Sequence, residues 1–391
     1  MSRGDCQGGT VRPAWRELDP EALRGNYRHL RDTLAPGVGV IASIKANAYG
    51  HGAVETARLL AEEGVELLAT GSFDEAVAIR KAGIDTPLLL FGGFLPDALP
   101  KILEWNLIPT VCNVEMAEAL SRCAGGPTPL YIKIDCGLRR LGVPLHQARD
   151  FALHVAGLPN LEVAGLYTHV PFSSRDGRGW AERQLQEFDR LVAALAAAGL
   201  KVPVTQAMGS ACLLAGLRDR CTAVSPGHLL YGLSPLDPEV AGFAPYRPVL
   251  KALRARLIHI GSYRPGTRPT LEGTEALEGA DREGGAAITT GVVPLGRHDG
   301  YRSARDGRPA TMLLRGRRVP VLSVTLEHSV LDLSAIEAPE IGECVTALGA
   351  DGEEAIALDD LVHWWGVSPL EVLMTLDGSA LATEPFARIS V

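Results

Sequence analysis

The chain has 391 residues, 46% hydrophobic and 21% charged, with a net charge of −8; this excludes a disordered chain, a coiled coil and a small disulfide scaffold. The length suits two domains, or one barrel of about 250 residues with a smaller partner, and scattered basic residues argue against nucleic acid as the main partner. No apolar run reaches the roughly 18 residues of a membrane span, MSRGDCQGGTVRPAWREL lacks a signal-peptide core, and seven cysteines without CxxC spacing read as reduced thiols and not as a metal site. These features point to a soluble cytoplasmic enzyme.

Along the first two thirds, short apolar runs alternate with amphipathic stretches. The strand-like runs are Val38–Ile44, Val65–Thr70, Pro87–Phe91, Ile108–Cys112, Leu130–Asp135, Val163–Thr168, Val202–Gln206 and Cys221–Ser225. Helices with visible starts lie between them. Ser72 and Glu75 have capping-box spacing, Asn113 can cap the stretch from Val114, and Leu185, Phe188, Val192 and Leu195 make one apolar stripe. Eight strand-then-helix units predict a parallel, TIM-like (βα)8 barrel over residues 12–245, whose N-terminal strand can instead join the next domain. An open doubly wound sheet competes, but no GxGxxG follows the first strand.

Residues 246–391 change character and read as a C-terminal β-rich domain. Ala255–Ile260, Ile288–Val293, Ala310–Leu314, Val319–Thr325, Val330–Leu333 and Val345–Leu348 are strand candidates without long helices between them. Arg315-Gly316 is placed as a tight hairpin turn. Ser368, Pro369 and Glu371 occupy the start positions of a closing helix. The Gly-, Glu- and Arg-rich stretch Arg264–Gly285 reads as a loop or insertion.

The sharpest local signal is IASIKANAYGHG, Ile41–Gly52. An apolar strand delivers Lys45 at its C-terminal end, which in a barrel is the catalytic rim. A lysine desolvated there has a lowered pKa and can form a Schiff base with a carbonyl. A lysine at a strand end is more often a surface cation, so the surrounding sequence must decide.

KANAYGHG resembles the lysine motif of the alanine racemase family, whose enzymes use pyridoxal 5′-phosphate (PLP) on a barrel followed by a β domain. AWRELDPEALRGNYRHL, FDEAVAIRKAGI, IKIDCGLRRLGV, GLYTHV and SPGHLLYG follow in family order, strongly to about residue 235 and weakly beyond. The resemblance implies that Lys45 holds PLP as a Schiff base and acts as the base on one face of the substrate. It implies that Tyr49 reaches the cofactor phosphate, that His169 lies near the pyridine ring, and that Ser210 and the backbone around Gly227 and His228 bind phosphate. Arg140 would sit near the phenolic oxygen of PLP and the substrate carboxylate, positioned by Lys133, a lysine often carbamylated in the family. Family sites are completed by a second subunit, so a homodimer with shared active sites is implied.

Physical reasoning supports part of this separately. Ser210 precedes ACLLAGL, and Pro226-Gly227 follows the eighth strand, where barrel phosphate sites are common. Read alone, Ser210 is equally an N-cap, Gly227 a turn, His169 a core histidine, and Arg140 with Lys133 a solvated rim.

The departures are chemical. Where the family has RPG, with arginine on the pyridine nitrogen, this chain has Ser225-Pro226-Gly227, and a serine offers one neutral hydrogen bond instead. The family's second base is a β-domain tyrosine. Its best match here is Leu271, and no tyrosine lies between Tyr263 and Tyr301. A second family tyrosine appears as Leu370, the CMD segment as Thr325-Leu326-Glu327, and HxxNS as QAMGS ending at Ser210. Tyr301, His298, Glu327 and His328 are candidate substitutes for the missing acid or base.

The leading expectation is therefore a PLP-dependent, fold-type-III isomerase acting at Cα of a small amino acid through Lys45. A repurposed enzyme doing one-face chemistry (decarboxylation, elimination or aldol-type cleavage) is the first alternative. A non-catalytic PLP-binding protein is the second, although that class usually lacks the β domain.

Overall fold

In the computed structural model, which describes residues 13–240, 243, 245–263, 287–376 and 382–383, strand β1 (Ala14–Leu18) pairs antiparallel with Leu250–Arg256, far along the chain. Two units result: Pro20–Pro248, and a second in which the stretch ending at Asp19 joins the chain from Val249 onward. Among the described residues no helix is long and apolar enough to cross a membrane, and no disulfide joins the described cysteines.

The first unit is a closed parallel barrel. Its strands are β2 (Gly39–Ser43), β3 (Leu67–Thr70), β4 (Leu88–Leu90), β5 (Ile108–Val111), β6 (Thr128–Asp135), β8 (Leu161–Tyr167), β9 (Val204–Gly209) and β10 (Ala223–Ser225); a two-residue β7 (Val143–Pro144) pairs beside β6. Each strand pairs with the next, β5 bonds β6, and β10 returns to β2. The sheet therefore closes, which removes the doubly wound alternative. These strands read as continuous apolar runs because both of their faces are covered. Ile41, Leu67, Ala69, Leu89, Tyr131, Tyr167 and Ala223 fill the interior.

Two of the barrel helices start where a side-chain oxygen accepts an early N–H group. Asn113 Oδ1 accepts from Met116 N at 2.8 Å before the helix Val114–Cys123. Ser72 Oγ accepts from Glu75 N at 3.3 Å before Phe73–Lys81. The expected capping box is only half formed there, because the Glu75 carboxylate bonds Thr70 and Asn47 instead. On the long helix Arg175–Ala197 the buried stripe is Leu185, Phe188, Leu191 and Leu195, with Val192 half-buried at its flank.

The second unit is a sheet of β11 (Leu250–Arg256), β12 (His259–Tyr263), β13 (Ile288–Val293), β14 (Thr311–Leu314), β15 (Arg317–Val324), β16 (Ser329–Asp332), β17 (Cys344–Asp351), β18 (Glu354–Ile356) and β19 (Ala382–Thr383), together with β1. Its order is β12-β13-β16-β15-β14-β17-β11-β1-β19, with β18 on β17. Only the β1–β19 pair is parallel among these ladders. The single strand expected over Ala255–Ile260 is divided, because the chain changes partner. Leu257 N bonds Glu343 O, whereas Ile258 N bonds Val292 O. Strand β18 went unread because its EAI is short and begins on an exposed glutamate. Arg315 and Gly316 turn the β14–β15 hairpin at φ 55° and 70°, the signs of a primed turn that matches strand twist. Ser368 caps Pro369–Thr375, its Oγ accepting from Glu371 N at 3.2 Å.

Candidate active site

At the C-terminal end of β2 the backbone turns left-handed. Ala46, Asn47, Ala48 and Tyr49 have φ of 51–55° and ψ of 37–58°. Non-glycine residues avoid this region at a cost of about 1–2 kcal/mol each, so the turn must be held by its surroundings. Ala48 N bonds Ile44 O at 3.0 Å and Gly52 N bonds Asn47 O at 2.9 Å. Asn47 Oδ1 accepts from Ala53 N at 2.8 Å, and Asn47 N donates to Glu75 Oε1 at 2.7 Å.

The turn sets two side chains. Lys45 is partly buried, and burial, then the nearby Arg140 charge, lowers its pKa below the ordinary lysine range. Tyr49 is buried, its ring stacked on Tyr231 at 4.8 Å between centroids and edge-on to His228 at 5.4 Å. Tyr231 is held in turn by His51, stacked at 4.9 Å, and by its hydroxyl donating to Ser43 O at 3.0 Å. The Tyr49 phenol lies so close to Gly227 that a Cβ there would meet Oη at 2.3 Å. Only glycine leaves room for it.

Around this turn the strand ends enclose a cavity of about 640 Å³. Its wall includes the nine residues assigned from sequence to cofactor or substrate: Lys45, Tyr49, Lys133, Arg140, His169, Ser210, Ser225, Gly227 and His228. They come from the ends of β2, β6, β8, β9 and β10 and the loops that follow, the rim where barrel chemistry is built. Ser210 begins the short helix Ser210–Leu214, and its Oγ accepts from Gly227 N at 3.0 Å and Leu229 N at 3.4 Å. Hydroxyl and loop amides thus converge on one corner of the wall.

A cationic part of the wall comes from the end of β6 and the loop after it. Lys133 is 8% exposed, with its Nζ 4.3 Å from the centroid of the Tyr167 ring. Burial first, then the charges of Arg140 and Lys45, push it down to about 8. The Tyr167 hydroxyl shares a 3.0 Å hydrogen bond with Thr110. Asp135 shapes the loop, accepting from Gly137 N at 2.7 Å and Arg140 N at 3.2 Å.

Three cations therefore face the cavity, and no Asp or Glu among the described residues lines it. Burial and the Lys45 charge push His228 down to about 4. His169 is lowered too, by loss of surrounding water and then by Lys133, Lys45 and Arg140. Both imidazoles are neutral at neutral pH, so they offer hydrogen-bonding nitrogens without adding charge. The wall is built for anions.

Sequence reasoning missed Tyr167, Tyr231 and Glu75. Inward alternation along β8 marks Tyr167, while Tyr231 and Glu75 carried no separable signal inside LLYG and a helix start. The proposed substitutes for a second base fare differently. Tyr301 is fully buried, edge-on to Trp365 at 5.4 Å, with its hydroxyl pKa raised by burial; it is a packing residue of the β unit and not an acid or base poised for reaction. His298 and Glu327 are exposed, His328 and Leu370 half-buried, all in that same unit. Leu271, and the stretch Arg264–Gly285 around it, lie outside the described residues.

Comparison with known proteins agrees with this arrangement. The alanine racemase N-terminal domain family matches residues 18–235, and the alanine racemase C-terminal domain family matches 279–381. The alanine racemase of Synechocystis sp. is 33% identical over 90% of this chain and 92% of its own length. That of Nostoc sp. is 32% identical over 92% of each. Among solved structures, alanine racemase from Streptomyces coelicolor A3(2) is 28% identical with a TM-score of 0.79, covering 96% of this chain and 99% of that one. The Bacillus anthracis enzyme, solved with bound L-Ala-P, is 26% identical with a TM-score of 0.82 and 94% coverage of both chains. The barrel, the lysine turn and these likenesses together place the chain in the alanine racemase family.

Proposed function

We propose that this chain is a PLP-dependent amino-acid racemase of the alanine racemase type, acting on a small amino acid, alanine first. The observation that carries the reading is Lys45, an amine of lowered pKa at the barrel rim, in a cavity lined by cations and neutral hydrogen-bonding groups. The wall fits the cofactor's charge: phosphate and phenolic oxygen need donors and cations, and no carboxylate among the described lining residues would repel them.

Lys45 would hold PLP. The phosphate would lie with Tyr49, Ser210, the Gly227 amide and His228, the ring with His169, and the ring nitrogen with Ser225. When bound, PLP supplies the carbonyl that condenses with an amino group and the conjugated ring that takes up the electron pair left at Cα. The protein does the rest. Lys45, with its lowered pKa, can take the Cα proton on its own face and return it. Arg140 places a fixed positive charge for the substrate carboxylate, and Lys133 adds a second beside it. The neutral imidazoles fix orientation without competing for those anions. Inversion also needs a proton donor on the opposite face, which we assign to the β domain of a second subunit in a cytoplasmic homodimer.

The test is to incubate PLP-loaded protein with L-alanine in deuterated water, and to follow Cα exchange and D-alanine together. Comparable rates of exchange and inversion are expected, and borohydride should fix the cofactor to the peptide containing Lys45. An amine or keto acid product, or exchange with retention at least about tenfold faster than inversion, would replace racemisation with one-face chemistry.

A further inference from the structure

We propose that Glu75 is a positioning residue for Lys45: its carboxylate reaches from the helix start after β3 to the turn after β2, and holds the left-handed backbone that aims Lys45 and Tyr49 at the cavity. This rests on the reading that Lys45 carries the cofactor. Glu75 itself does not line the cavity, so it acts through the turn and not on the reacting atoms.

A carboxylate at the third position of a helix ordinarily folds back on the cap residue. Here the backbone half of that arrangement is present, Glu75 N on Ser72 Oγ at 3.3 Å. The side chain is directed elsewhere. Oε1 accepts from Asn47 N at 2.7 Å, and Oε2 accepts from the hydroxyl of Thr70 at 2.5 Å. Thr70 is fully buried at the end of β3, and its own oxygen accepts from Ser72 N at 3.3 Å. One carboxylate therefore ties the Lys45 turn to a fixed point on the neighbouring strand.

The contact falls where the turn needs support. Asn47 lies within a run of four non-glycine residues in the left-handed region, a conformation that persists only where neighbours over-determine it. Asn47 O and Oδ1 are bonded forward, to Gly52 N and Ala53 N, and those bonds would travel with the turn if it relaxed. The bond from Asn47 N to Glu75 joins it to a different loop, and a charged acceptor makes it about twice as strong as a neutral one. Tyr49 sits two residues further on, wedged against Gly227, so a shift of the turn would move the amine and the phenol together.

Three variants separate positioning from helix capping. Glu75→Ala removes the clamp, Glu75→Gln keeps an acceptor of the same shape without the charge, and Ser72→Ala removes the cap of the same helix while leaving the clamp. Amide hydrogen exchange of the peptide spanning residues 44–52 is measured in cofactor-free protein, and PLP affinity by absorbance titration. Glu75→Ala should speed exchange in that peptide and weaken PLP binding, each by about ten- to a hundredfold, the loss expected for one hydrogen bond to a charged group. Glu75→Gln should recover part of both, and Ser72→Ala should change neither by more than about twofold. Should Glu75→Ala fail to fold, Glu75→Gln alone decides, with a loss of about three- to tenfold in both readouts expected. Exchange and affinity within twofold of the parent in the glutamate variants would overturn the proposal, as would equal losses in Ser72→Ala. Borohydride labelling of the parent protein reports separately on the cofactor reading. A label on another lysine would defeat that reading, while the exchange data would still judge the clamp.

Discussion

Two loops at the barrel rim each bring a cation to the same cavity, and a carboxylate braces each of them in a different way. The Lys45 turn is held from a distance, by Glu75 on the next loop, by the stack on Tyr231, and by the space that Gly227 leaves for the Tyr49 phenol. The loop carrying Arg140 is held from within. Asp135, at its start, accepts from Gly137 N and Arg140 N. Although burial raises its pKa, the amides of Arg139, Gly137, Arg140 and Leu138 keep that carboxyl below its ordinary value. Gly142, at φ 132°, packs so near the Asp135 amide that a Cβ would meet it at 2.8 Å. Remote bracing makes the lysine depend on the closure of the barrel; local bracing leaves the arginine loop a nearly independent part. Damage to the first should spread, and damage to the second should stay put.

The largest effect is expected where the remote bracing is tightest. In Gly227→Ala the new methyl would lie 2.3 Å from Tyr49 Oη and 2.9 Å from Cζ, and the ring is stacked between neighbours that leave it little freedom. Overpacking of this kind costs about 1–3 kcal/mol. PLP affinity should fall by about a hundredfold, with a lower thermal midpoint in the cofactor-free protein. Tyr49→Phe in the same background should recover some of the affinity by removing the nearest atom, which a double-mutant cycle would read as coupling. Purely additive losses would show that the turn does not depend on this distant contact.

A smaller and more local effect is expected in the other loop. Asp135→Ala leaves the Gly137 and Arg140 amides without their acceptor. These lie in an exposed segment, where water can replace part of the bond. The substrate KM should rise by about tenfold with kcat changed less than about threefold, because Arg140 is loosened while Lys45 is not. A comparable loss in kcat, or a large fall in thermal midpoint, would erase the distinction between the two loops.

That distinction is also why one part of the molecule was legible in the sequence and another was not. Barrel strands announce themselves because parallel strands covered on both faces are apolar throughout, and Ser72, Asn113 and Ser368 cap their helices through bonds only three residues long. The nine cavity residues were found by position at strand ends and by the family motifs. Glu75 was read as a local helix signal because its spacing from Ser72 allows that. Nothing in the sequence says that its carboxylate turns 28 residues back to Asn47. Tyr301 shows the converse limit of a local reading. A tyrosine between charged residues looks available, while the fold buries its ring against Trp365. The division at Arg256–His259 is likewise a change of ladder partner, and an apolar run carries no record of its partner.

Lys133 is where the two loops meet electrostatically, and it offers the smallest and most specific test. Burial and the charges of Arg140 and Lys45 lower its pKa from 10.5 to about 8. The unfolded chain keeps this proton up to the ordinary lysine range, whereas the folded chain releases it from about 8 upward. Between those values the unfolded state binds more protons, so stability rises with pH across the window. Below it the cost of the buried charge is present in full. Lys133→Met should therefore stabilise the cofactor-free protein at pH 7. Undiscounted, the lowered pKa corresponds to roughly 3 kcal/mol, but the cation gives back part of that through the Tyr167 face beneath it, so a gain of about 1 kcal/mol is expected. The gain should shrink as pH rises from about 8 toward 10.5, leaving a shallower slope that belongs to Lys45, whose pKa is lowered as well. Urea unfolding at pH 7 and at pH 10 measures both. Parallel pH curves for parent and variant would mean that Lys133 carries no such penalty, and that the charges of the two loops do not meet at this residue.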